Sequence, residues 1–203
     1  MSTPRLQVKQ LTVRFGKAFT MGPLKFDAEH GVIHLVGPNG SGKTTALRAM
    51  CGELLPASGQ VLVEGVDVHR VPSARRRIAL VPSTPELPPF LTVREAWQFT
   101  CSLRGAPAWD GSALCDALAL PPHLPLGHGS AGQRRKAELI CALAGDPSIL
   151  LLDETFAHLD RDAVQWLATY ISDAARDRLV LLTHHGEAPV PVAREIQVVA
   201  VPE

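Results

Sequence analysis

The sequence predicts an α/β fold with a mostly parallel central sheet, and three observations predict it. Four short runs, VIHLV (32–36), IALV (78–81), ILLLD (149–153) and LVLLT (179–183), are nearly continuous in apolar residues, as strands covered on both faces are. Helical patterns separate several of them, which is the arrangement of parallel strands joined by crossovers. A glycine-rich loop, GPNGSGKTT from Gly37 to Thr45, follows directly on the first run.

The elements follow in order. From Leu6 to Phe15 apolar residues alternate, with a shift of phase at Lys9 and Gln10. That pattern predicts an edge-exposed antiparallel strand with a bulge, opening an N-terminal antiparallel β subdomain. A short helix is expected from Thr45 to Cys51, closed by Gly52. From about Thr92 to Leu120, TVREAWQFTCSLRG and SALCDALAL have helical periodicity and lie between proline-rich joints, VPSTPELPP and LPPHLPLG. Proline restricts its own backbone and the residue before it, so these joints are semi-rigid connectors around an inserted helical subdomain. The expected organisation is one domain over 1–203, with core segments 1–83 and 130–203 and the helical subdomain with its joints at about 84–129.

Composition narrows the function classes. A chain of 203 residues, 46% hydrophobic, buries a substantial core but has no room for a second catalytic domain. Its 20 basic and 20 acidic residues cancel, so no overall field draws it to nucleic acid or an acidic membrane, and no nucleic-acid partner is expected. Cys51, Cys101, Cys115 and Cys141 form no Cys-x-x-Cys pair and read as reduced core thiols of a cytosolic protein. The N-terminus has no signal-peptide pattern, and no run reaches the roughly 18 apolar residues of a membrane span. A membrane role therefore requires another chain.

Gly37, Gly42, Lys43 and Thr44 match G-x-x-x-x-G-K-[ST], a pattern built to cradle phosphates. The glycines let the backbone of Gly37, Asn39, Gly40, Ser41 and Gly42 turn its N–H groups inward. Lys43 adds charge, Thr44 offers a hydroxyl to Mg²⁺, and the helix that follows, with Thr45 in its first turn, points its positive end at the anion. ILLLDE ends a strand on two acids. Asp153 is thereby placed at the carboxyl edge of the sheet, where it suits Mg²⁺, and Glu154 is placed to polarise a water against a γ-phosphate. GSAGQRRK (129–136) puts small residues before a helix, so Ser130 and the N–H of Gly132 are candidate phosphate contacts. Arg134, Arg135 and Lys136 in its first turn oppose the helix dipole by roughly 0.3–1 kcal/mol each when exposed, a cost that an arriving anion offsets; a solvated basic turn is the bland alternative.

Taken in order, these segments resemble the ATP-binding subunits of ABC transporters over essentially the whole chain. GPNGSGKT resembles the Walker A motif, GSAGQ the signature, ILLLDE the Walker B motif and AHLD (157–160) the D-loop, while LLTHH places His184 as the switch histidine. The resemblance implies ATP and Mg²⁺ as ligands, Phe15 stacked on adenine, and a head-to-tail pair of cassettes. Each ATP then lies between one P-loop and the other cassette's Ser130, Gly132 and Gln133, with Asp160 nearby. It also implies hydrolysis by Glu154 with His184, and a multi-span permease that holds the subunit on the cytoplasmic face of the membrane. LTVREAWQFTCSLRG (91–105) resembles the helical segment of small bacterial export systems, which points to export. A soluble ABC-type ATPase or a slow ATP-gated switch is the competing class.

The chain departs from the family's pattern at several positions. Ser83 stands where a glutamine usually reaches the metal and water, which predicts slower or more partner-dependent hydrolysis. Gly129, Ala131, Thr155 and His185 replace the usual leucine, glycine, proline and acid. His184 and His185 do not form a metal pair, because adjacent strand residues point to opposite faces. Trp97 is the candidate contact for the membrane partner.

Overall fold

The computed structural model describes residues 3–16 and 19–201. Strands β1 (Leu6–Phe15), β2 (Phe19–Ala28), β4 (Ser58–Val63), β5 (Val66–Asp67) and β10 (Ala200–Val201) form one antiparallel sheet in the order β10-β2-β1-β4-β5. The expected edge position of Leu6–Phe15 is therefore corrected: β1 is hydrogen-bonded on both sides, by β2 and by β4. Its Leu6, Val8, Leu11 and Val13 are buried, and the exposed residues alternating with them reflect a solvated sheet face rather than an open edge. The phase shift is a bulge, with register breaks between Val8 and Leu11 and Gln10 at φ 50.

The four apolar runs become β3 (Gly31–Val36), β6 (Ile78–Val81), β7 (Ile149–Asp153) and β8 (Leu179–Thr183). With β9 (Arg194–Gln197) they form a parallel sheet in the order β6-β7-β8-β3-β9. Strand alternation explains why the runs are continuous. Ile149, Leu151, Leu179 and Leu181 face one core, shared with the antiparallel sheet and with α1 (Lys43–Met50). Leu150, Leu152, Val180 and Leu182 face a second core, closed by α4 (Ala131–Leu143) and α5 (Arg161–Ala174).

Between β6 and α4 lie α2 (Val93–Arg104) and α3 (Ser112–Ala117). The α2 helix starts on a capping box in which Thr92 accepts from the Glu95 N–H, and it ends on Gly105 in the left-handed region. A third core joins Val93, Ala96, Trp97 and Cys101 of α2 to Ala137, Ile140 and Cys141 of α4. Trp97 is 1% exposed, beneath the Arg94 guanidinium, and so is a core residue; the apolar side chains this region shows to solvent are Phe90, Phe99 and Leu103. Cys101, Cys115 and Cys141 are buried free thiols, and Cys51 is half-buried and free. Burial pushes the thiols of Cys51 and Cys141 up to about 12 and that of Cys115 to about 11.

Candidate active site

The P-loop wraps the N-terminus of α1, which begins at Lys43, two residues before the expected Thr45. Gly42 is the reason: it caps the helix at φ 96, and a Cβ there would lie 2.5 Å from the Met21 Cγ. The Lys43 ammonium donates to the carbonyls of Gly37 (2.8 Å) and Pro38 (3.1 Å), and so spans the loop. Ser41 is buried with its hydroxyl unpartnered.

The acids are set by the ends of two neighbouring strands. Asp153 and Thr183 are partners in the β7–β8 register. The Thr183 hydroxyl donates to Asp153 Oδ1 at 2.7 Å and accepts the Glu154 N–H at 2.9 Å. One hydroxyl thus ties both acids to β8 and holds Glu154 at φ 48, a conformation that costs a non-glycine residue about 1 kcal/mol or more.

Loop and acids share one cavity of about 500 Å³, lined by Asn39, Gly40, Gly42, Lys43, Thr44 and Thr45 on one side and Asp153 and Glu154 on another. Phe19 and His185 complete the lining, and sequence reasoning missed both. Phe15 is 47% exposed and does not line it; its ring lies 6.1 Å from that of Phe19. His184 is turned away, stacked on Phe156 at 5.8 Å. Strand alternation gives no signal for His185, because β8 ends at Thr183 and both histidines lie in the irregular segment that follows. The donors fit the expected ligands: a cationic, N–H-rich loop for a triphosphate, and the oxygens of Thr44 and Asp153 for Mg²⁺.

A family model described as ABC transporter matches residues 22–157. The chain belongs to that family. It is 33% identical over 202 residues to the cytochrome c biogenesis ATP-binding export protein CcmA of Nitrosococcus oceani, covering 97% of this chain and 93% of that protein. It is 34% identical to the sulfate/thiosulfate import ATP-binding protein CysA of Mycobacterium bovis, spanning 59% of that protein, and 30% identical to ABC transporter A family member 2 of Dictyostelium discoideum, spanning 11% of it. A solved ABC transporter ATP-binding protein from Pyrococcus furiosus has the same fold, with a TM-score of 0.77 at 24% identity over 95% of this chain and 96% of that one. The chain carries the ATP-binding, ATPase domain of ABC transporters. No helix among the described residues is long and apolar enough to cross a membrane.

The GSAGQ segment (129–133), which resembles the family's signature, does not line the cavity. Ser130 caps α4, accepting the Gln133 N–H at 3.2 Å, while Gln133 Oε1 accepts the Ser130 N–H at 2.9 Å. Gly132 packs so closely on the loop after β7 that a Cβ would lie 2.8 Å from the His158 carbonyl. The expected basic turn is corrected for two of its three cations. The Arg135 guanidinium is 1% exposed and donates to the carbonyls of Pro82 and Ser83; burial pushes its pKa down, against the pull of Glu138 and Asp153. The Lys136 ammonium donates to the Leu118 carbonyl at 2.8 Å and pairs with Asp160 at 2.6 Å. Both are internal ties, because the helix turns them toward the core, and only Arg134 faces solvent. Asp160 caps α5 through the Ala163 N–H. Ser83 is held by its carbonyl on Arg135, and its side chain does not line the cavity.

Proposed function

We propose that this chain binds and hydrolyses ATP to drive transport through a separate permease, in the direction of export. The observation that carries the reading is the single cavity that gathers Lys43, Thr44, Asp153 and Glu154. The triphosphate lies along Gly37 to Thr45, where Lys43 exchanges its two carbonyl partners for β- and γ-phosphate oxygens and α1 points its positive end at the charge. Thr44 and Asp153 would hold Mg²⁺, which when bound neutralises charge on the phosphates. Glu154 accepts a proton from the attacking water, the water oxygen bonds the γ-phosphorus, and ADP departs. By its place in the motif, His184 orients the γ-phosphate once the switch loop turns inward.

Ser130, Gly132 and Gln133 stand outside the cavity of their own chain, which supports a head-to-tail pair in which they meet the other cassette's nucleotide, with Asp160 at the junction and Phe15 on the base. Export is supported by the near full-length similarity to CcmA and by the 91–105 segment. The exposed Phe90, Phe99 and Leu103 support a membrane partner at residues 84–129, which would hold the chain on the cytoplasmic face of the membrane. The test is affinity purification of the tagged chain from gently solubilised native membranes, with mass spectrometry of what accompanies it. A multi-span permease in stoichiometric yield is the expected result; recovery only from the soluble fraction would favour a non-transport ATPase.

A further inference from the structure

We propose that His185 is a positioning residue for the catalytic carboxylate: its imidazole holds the side chain of Glu154 in line with the attacking water. The inference rests on the ATPase reading of the same cavity. Four observations carry it. His185 lines the cavity, and His184, the histidine at the motif position, does not. His185 Nε2 lies 3.7 Å from Glu154 Oε1, just beyond hydrogen-bond range, so a small rotation of either side chain closes the contact. Among the described residues, no other cationic side chain is within ion-pair range of that carboxylate.

The fourth observation is that the end of β8 positions both partners, one by a hydrogen bond and the other by chain connectivity. The Thr183 hydroxyl takes the Glu154 N–H and so fixes the base of that side chain. His185 follows Thr183 by two residues, in the bend just past the end of β8, where the chain brings its ring to the cavity beside Glu154, and Gly186 at φ 79 continues that bend. The donor is the Nε2–H of either the neutral tautomer or the imidazolium, so the contact does not depend on which is present. An acid at this position would repel Glu154, whereas a histidine can donate to it once the side chains rotate together. The two histidines thus have separate tasks: His184 acts on the nucleotide after the loop turns, and His185 acts through Glu154.

The test compares the full chain with His185→Ala, His185→Leu and His185→Gln, measuring ATP affinity by equilibrium binding and turnover by phosphate release. The side chain is 68% exposed, so the substitutions leave the core intact. For Ala and Leu, kcat is expected to fall about 10- to 100-fold, the loss typical of a misplaced reacting group, with KM and ATP affinity unchanged. Gln, whose amide nitrogen is a donor like Nε2, is expected to restore turnover. His185→Ala within twofold of the parent, or Gln no better than Leu, overturns the inference. A parent chain without ATP turnover, whether or not it binds ATP, sinks the ATPase reading and this inference together; an active parent matched by His185→Ala sinks only the inference.

Discussion

In the proposed reaction Glu154 serves chemistry and Lys43 serves binding, and substitutions should separate the two. Glu154→Gln keeps the shape of the side chain and removes the base. Turnover is expected to fall about 100- to 10,000-fold, with ATP binding retained, as read by phosphate release and equilibrium binding. Lys43→Ala leaves the loop without its charge and should lose binding itself. Asp160 gives a pH prediction. Its carboxyl is held below its ordinary value, first by the hydrogen bond from Lys136 and then by the Ala163 N–H. The folded chain therefore releases this proton more readily than the unfolded one. The stabilisation is present in full above the ordinary carboxylate range and is lost as pH falls through the depressed value. The difference in Tm between the parent and Asp160→Asn should accordingly shrink on acidification, when thermal melts are compared across pH. At this scale the P-loop and Walker B residues were legible because their motifs are contiguous. His185 and Phe19 were not, because which neighbouring side chain faces a cavity depends on where the strand ends place it.

Among the elements, α2 presents opposite faces to core and solvent, which makes it a sharp test. Trp97→Ala should cost about 3–5 kcal/mol in denaturant unfolding, as removal of a fully buried aromatic does. Phe99→Ser, on the exposed face of the same helix, should change stability by no more than about 0.5 kcal/mol yet weaken capture of the permease. The C-terminus of α4 is tied to α2 by Arg104, whose guanidinium donates to the carbonyls of Ala142 at 2.7 Å and Ala144 at 2.5 Å. The helical periodicity of α2 was visible in sequence, but Trp97 and Phe99 are both large and apolar. Only the packing of α4 against Ala96, Trp97 and Cys101 decides which face is covered.

For the molecule as a whole, the separation of the signature from its own cavity predicts association. With ATP, Glu154→Gln should run as a dimer in size-exclusion chromatography with light scattering, while Lys43→Ala, unable to take nucleotide, should stay monomeric. A monomer in both would leave the head-to-tail pairing without support. Arg135 links α4 to the carbonyls of Pro82 and Ser83, and so joins α4 to the segment that lacks the usual glutamine. Ser83→Gln is expected to raise turnover, read as kcat in the same phosphate-release assay.

The sequence by itself determined four of the five strands of the parallel sheet and picked out the candidate phosphate loop and pair of acids, because each rests on a contiguous run; β9 (Arg194–Gln197), mostly polar and exposed, had no such run. Only the tertiary structure decided which cations are structural, where β1 sits, and which histidine faces Glu154. Those outcomes depend on contacts between residues far apart in the chain: Arg135 with Pro82 and Ser83, β1 with both β2 and β4, and Thr183 with Asp153 and Glu154. No local pattern encodes such contacts, because the partner's position is set by the packing of whole elements.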